Sequence, residues 1–269
     1  MSRSGKKTRR SFDGLERRNL RCVGLVLLIC ALTFFLAPMA TQAANIASEE
    51  IYRGIYLRIL PADPNAKSDI KLVSSGDALE AIRSALDLIY EKSPFNAKTL
   101  DMLKSRGDVV IVYDPVFPKW SRGNITLAAF LPHYFEPAPG APGDKVFVAI
   151  LGRYIIKHSP PEIAAEGIVH ELVGHGVQHM HGRLNNGNGL NIECEASLYE
   201  LQAFQDLGVD KFTDYMVQFR RELEDQHCDD FKRFMRKHRP KLMPLWDARD
   251  VNVIKILSVF DDYLAQLPN

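Results

Sequence analysis

Four of the eight histidines of this 269-residue chain fall within residues 159–182, SPPEIAAEGIVHELVGHGVQHMHG, and Glu171 directly follows the first of them. Imidazole nitrogens and carboxylate oxygens are donors that zinc accepts, so the stretch reads as a metal-binding helix of a hydrolytic site. Zinc-binding helices often carry HExxH, in which two His four residues apart share a face and the Glu is the base. Here His170 and His175 are five apart, with Gly174 and Gly176 on either side of the second. In an ideal α-helix that spacing splays the two rings by about 140°, too far to grip one ion. A single π-helical turn would bring residue i+5 back over residue i, and the flanking glycines weaken the regular helix there. The rival pairing keeps ideal geometry and uses Glu171, His175 and His179, leaving His170 without a role.

A third donor has to come from elsewhere in the chain. Residues 191–207 form a second predicted helix that stops at Gly208. On it Glu193 is in line with Ala196, Glu200, Ala203 and Leu207, while Glu195 shares its side with Gln202 and Asp206. A carboxylate on an inward stripe needs a cation beside it, because burying it alone is costly. Glu193, on that stripe, and Glu195 are the two carboxylates this helix offers as the third donor.

The string HELVGHG resembles the HExxGH element of the dipeptidyl-peptidase III family of zinc peptidases, in which the widened spacing is the rule and both His bind zinc. That family's second element reads roughly EECxAE. Residues 192–197 here are Ile, Glu, Cys, Glu, Ala and Ser, so Glu193, Cys194 and Ala196 match, whereas Ile192 and Ser197 stand where the family has acidic residues. The resemblance covers these two short elements and implies a similar site rather than a similar protein. By it, His170, His175 and Glu193 would hold Zn2+ and Glu171 would be the general base. Three protein ligands leave a fourth position for a water whose pKa falls to about 7. Glu171 would take its proton and later pass it to the leaving amine. The family's oxyanion donors are a Tyr and a His outside these elements; Tyr154, Tyr199, His227 and His238 are eligible here, and no motif chooses among them. His179 and His181 read as surface or supporting groups, and Cys194 as a small packing residue.

The site helix has a start signal: Ser159 as N-cap, Pro160 in the first turn and Glu162 completing a capping box. Ile163, Ile168, Leu172, Val173 and Val177 then recur at helical intervals facing a core. Before it, residues 51–60 read as a strand, 77–91 and 97–106 as helices, and 109–113, 125–131 and 146–151 as further strands. The Pro-rich stretch 132–143 reads as a surface loop, and a flanking strand at the sheet edge could bind an extended peptide. After the second site helix the pattern is helical. Phe212, Tyr215, Met216, Phe219 and Leu223 form one apolar stripe, and Val253, Ile256, Phe260 and Leu264 another. Residues 220–239, dense in charge of both signs, read as a solvated face. The expectation is α+β: an N-terminal mixed sheet with helices, a central metal-binding helix and a helical C-terminal part, an order that resembles zincin-like metallopeptidases.

Residues 1–21 carry eight Lys or Arg, and residues 22–37 are almost wholly apolar, followed by small residues up to Ala44. That is the pattern of a secretory signal peptide over 1–44, with an uncleaved membrane anchor as the alternative. Thr8, Arg9, Arg10, Ser11 and Phe12 resemble a twin-arginine export signal. Residues 22–269 hold 26 basic and 31 acidic side chains, so the basic segment belongs to targeting and nucleic acid is not an expected partner. Residues 45–269 suit one domain. Within it Cys194 and Cys228 could pair in an oxidising compartment. There is no phosphate-cradling Gly loop and no GxSxG elbow. The sequence thus points to an exported (periplasmic or extracellular) zinc metallohydrolase, a peptidase acting on peptide or protein substrates. The alternative is a non-catalytic, zinc-stabilised envelope or binding protein.

Overall fold

The computed structural model describes residues 46–62, 72–117, 128–135, 143–184, 189–248 and 250–267. All of these belong to one compact unit, Ala43–Asn269. The expected signal peptide, its twin-arginine string and most of the Pro-rich loop lie outside the described residues. No described helix is long and apolar enough to cross a membrane.

The described chain is α+β, with a five-stranded mixed sheet in the order β1-β2-β3-β5-β4. The segment expected as a single strand over 51–60 is instead a hairpin of β1 (Ser48–Tyr52) and β2 (Ile55–Ile59). It turns at Arg53 and Gly54, whose φ values are 52° and 76°. Two successive positive φ values are the type I′ geometry that matches strand twist, and Gly54 adopts its half without strain. Arg53 is held there from outside. Its carbonyl accepts from Lys104 Nζ at 2.8 Å. Its guanidinium donates to Asp87 and lies 4.9 Å from the centre of the Tyr90 ring. Apolar alternation hid this turn, because its determinants are long-range partners.

From β2 the chain crosses through α1 (Ser75–Lys92) and α2 (Pro94–Lys104) to β3 (Gly107–Asp114), which pairs parallel with β2. The Ser74 hydroxyl accepts from the Asp77 backbone N–H and starts α1 two residues earlier than expected. Strand β5 (Lys145–Gly152) adds parallel to β3, and β4 (Ala128–Phe130) adds antiparallel to β5 as the edge. Strand β3 is buried along its whole length, as its unbroken apolar run requires. Side chains alternate between two faces. Ile55, Leu57, Val109, Ile111, Phe147 and Ala149 face the helices in the main core. Val110, Val112, Val148 and Ile150 form a smaller cluster with Tyr134 and Phe135.

The helical half follows. Helix α3 (Arg153–His158) leads into α4 (Pro161–Ile168), a π-helical turn (Val169–His175) and α5 (Gly176–Met180). Then come α6 (Gly189–Leu207), α7 (Asp214–Glu222), a second π turn (Leu223–His227), α8 (Asp229–His238), α9 (Pro244–Asp247) and α10 (Val253–Leu264). The stripe expected at residues 212–223 is only partly inward. Met216 and Leu223 are buried, but Phe212 is 66% and Tyr215 50% exposed. Phe212 precedes the Thr213 N-cap of α7 and so is not on the helix face at all. The charge-dense segment is likewise more than a solvated face, since Phe231 and Met235 reach the core.

Cys194 on α6 is disulfide-bonded to Cys228, just after the second π turn, across 34 residues of sequence. Closing a loop of that length restricts the unfolded chain by about 4 kcal/mol in the entropic account. Replacing both cysteines by Ser should lower the unfolding free energy by about 3 to 4 kcal/mol, read as a shifted urea midpoint. A midpoint unchanged from the oxidised native protein would show that the bond carries no stability.

Candidate metal centre

The site begins at a helix start that differs from the one expected. Pro160, not Ser159, occupies the N-cap, and no side chain caps the helix. Pro161 is the first helical residue, and a residue before proline is driven out of the helical region, which puts Pro160 at ψ 158°. The capping box of Ser159 and Glu162 is therefore absent. Eight residues after Pro161 the helix widens into the π turn, and Val169, Leu172 and Val173 on it are fully buried. Gly174 allows the widening to be packed: a Cβ there would lie 2.5 Å from Ala196 Cα on α6. Any larger residue would push apart the two helices that carry the donors.

Widening brings His170 and His175 onto one side, their ring centres 5.0 Å apart and nearly perpendicular. Both Nε2 atoms aim at the Glu193 carboxylate, at 3.4 Å for His170 and 3.9 Å for His175. The three donor atoms lie within 4.8 Å of one another. Ligands bonded at zinc distances and a tetrahedral angle are about 3.4 Å apart, so the set fits such an ion with small adjustments. Glu171 Oε2 is 4.0 Å from His175 Nε2, and its carboxylate accepts from the Phe130 backbone N–H on β4.

The opposite ring nitrogens are anchored. His170 Nδ1 lies 2.7 Å from Glu200 Oε2, and since a carboxylate only accepts, Nδ1 carries the proton. His175 Nδ1 lies 2.9 Å from Gln178 Oε1, and Gln178 Nε2 donates to the Ile192 carbonyl at 2.7 Å. That second bond fixes the amide orientation, so His175 Nδ1 is also a donor. Each Nε2 is thus the nitrogen left for a metal, the arrangement that raises a histidine's basicity as a ligand. Glu200 was legible only as a polar position on the α6 stripe seven residues after Glu193, and Gln178 only as a neighbour of His175.

Electrostatics divide the acids. Burial alone would lower the His170 pKa, but the Glu200 charge and the hydrogen bonds His170 donates to Glu193 and Glu200 hold it well above the usual value. His175 is lowered by burial and by the positive charge on His170. Burial opposes ionisation of Glu193, but the His170 hydrogen bond outweighs it and lowers its pKa. Burial pushes Glu171 up to about 7.

The other candidates sit elsewhere. Glu195 is buried and ion-paired with Arg183, its pKa pushed up to about 7 by burial against the pull of that charge. His179 packs among Phe130, Phe147 and His133 and is absent from the donor cluster. His181 forms the C-cap of α5. Tyr199 stacks on Phe95, and His238 on Phe234. Tyr154 is 42% exposed on α3. Of the remaining eligible oxyanion donors, His227 has Nδ1 3.4 Å from Ser197 Oγ on α6.

No family model, no curated protein and no solved structure matches this chain.

Gly174→Ala should destabilise the protein by about 2 kcal/mol or more, because the added carbon meets backbone rather than a flexible side chain. Chemical denaturation checks this. A loss under about 0.5 kcal/mol would mean that the α6 contact is loose.

Proposed function

We propose that this chain is an exported zinc-dependent metallohydrolase of zincin-like architecture, a peptidase in which His170, His175 and Glu193 hold the metal and Glu171 is the general base. The observation that carries the reading is the convergence of two Nδ1-anchored imidazoles and a carboxylate on one point, beside a second carboxylate outside the ligand set. Bound there, zinc would supply a Lewis acid that polarises a carbonyl and acidifies a water.

The protein's own groups account for the rest. Glu171 follows a ligand in sequence, and the Phe130 N–H holds its carboxylate toward the metal side, where it can accept a proton and return it to a leaving amine. Strand β4 is a sheet edge beside the π turn among the described residues, and although its Phe130 N–H is given to Glu171, an extended peptide could add to the edge through its other outward backbone groups. That favours peptides over small esters or amides as substrates. The Cys194–Cys228 bond fits an oxidising compartment, in line with the N-terminal leader pattern.

Purified protein should contain one zinc per chain by elemental analysis. Glu171→Gln should keep that zinc while peptide hydrolysis falls by about 10²- to 10⁴-fold. His175→Ala should lose the metal and the activity together. Zinc retained in Glu171→Gln with hydrolysis unchanged would leave a metal-stabilised binding protein instead, and zinc-free native protein would remove the metal centre itself.

A further inference from the structure

Behind the donor set lies a second group of polar residues that the proposed reaction does not use. Glu166 on α4 and Glu200 on α6 are 5% and 8% exposed. Their carboxyl groups are hydrogen-bonded to each other. Tyr215 on α7 donates its hydroxyl to Glu166 Oε1 at 3.2 Å. Two buried carboxyl groups in direct contact share a proton, because two adjacent charges without water cost too much.

The geometry assigns that proton. Glu200 also receives His170 Nδ1–H at 2.7 Å, so Glu200 is the acceptor of the pair and Glu166 the acid that donates to it. The hydrogen bonds then converge on Glu200 across four helical segments: Tyr215 donates to Glu166, Glu166 to Glu200, and His170 Nδ1 to Glu200 from the other side. Every donor has an acceptor, and the one ring nitrogen of His170 that stands outside the chain, Nε2, faces Glu193 at 3.4 Å.

Resting on the zinc-centre reading, we propose that Glu166 and Tyr215 are positioning residues, which through Glu200 lock the His170 ring with Nε2 presented to the metal. Neither touches the donor cluster. Glu166 lies one helical turn before His170, and Tyr215 reaches in from α7, 50% exposed, to close the chain at the surface. A buried Glu200 lacking its donor would seek another partner, and the His170 ring would turn with it. Groups that orient a ligating histidine typically change metal affinity by about 10- to 100-fold when removed.

The test compares Glu166→Ala, Glu166→Gln and Tyr215→Phe in the full chain with two readouts. One is zinc affinity by competition with a chelator. The other is the His170 Nδ1–H proton resonance of ¹⁵N-histidine-labelled protein, which a strong hydrogen bond moves downfield and protects from exchange. Glu166→Ala should weaken zinc about 10-fold or more and lose the resonance. Glu166→Gln, which still donates to Glu200 and accepts from Tyr215, should stay within about three-fold of the native protein and keep it. Tyr215→Phe should fall between, at about three-fold, with the resonance shifted upfield. A purely structural role would lower the melting temperature without moving either readout.

Glu166→Gln as weak as Glu166→Ala, or Tyr215→Phe indistinguishable from native protein in both readouts, overturns the proposal. If Glu166→Ala does not fold, the other two variants decide it. If native protein binds no zinc, the metal reading falls, and the resonance in metal-free protein still decides whether this chain orients His170.

Discussion

Between Val169 and His175 the site helix takes in one more residue per turn than an α-helix, and that local widening decides where two imidazoles point. A regular helix would carry His175 around to the far side from His170. The wider turn is not favoured by its own hydrogen bonds; it has to be compensated by packing. Val169, Leu172 and Val173 supply apolar burial on one side, and Gly174 lets α6 approach until Ala196 fills the space a side chain would take. The same approach delivers Glu193, three residues before Ala196, to the two histidines. Close helix contact and the third donor are therefore one feature, not two.

The widened turn also gathers charge. Glu171, Glu193 and Glu200 surround two histidines, with Glu166 directly behind. Against the pull of burial, contact with Glu200 and Glu193 favours the charged form of His170, and burial beside Glu200 favours the neutral form of Glu166. Burying this many acids together is costly unless positive charge or shared protons offset it, and the two imidazoles stand where they can supply that offset.

How much of this the sequence could show follows from the range of the interactions involved. The unusual spacing of His170 and His175 with glycines around the second is local, and it is enough to raise the question of a π turn. Its resolution depends on Ala196, which no periodicity connects to Gly174. Strands β3 and β5 and the helices were legible because apolar periodicity is a local signal, although the Ser74 cap that starts α1 before Asp77 was not read. The hairpin at Arg53 was not, since Asp87, Tyr90 and Lys104 stabilise its turn from helices 30 or more residues away. At the site helix the local signal pointed to the wrong residue. Ser159 has the right chemistry for a cap, but the proline pair shifts the start by one. Glu200 and Gln178 had no signal of their own, because holding Nδ1 is a property of the assembled rings.

The open side of the centre can be read from what walls it in. Glu200 stands behind His170, Gln178 behind His175, and the Phe130 ring, 6.3 Å from that of His175, stands on the β4 side. Glu193 is the exception among the donors, its side chain 42% exposed where those of the two histidines are 18% and 11%. Glu193 is therefore the donor that solvent reaches first, while both histidines are held from behind. The disulfide joins Cys228, at the end of the second π turn, to Cys194, the residue after Glu193, so the most exposed donor sits on backbone held by a covalent bond as well as by helix packing.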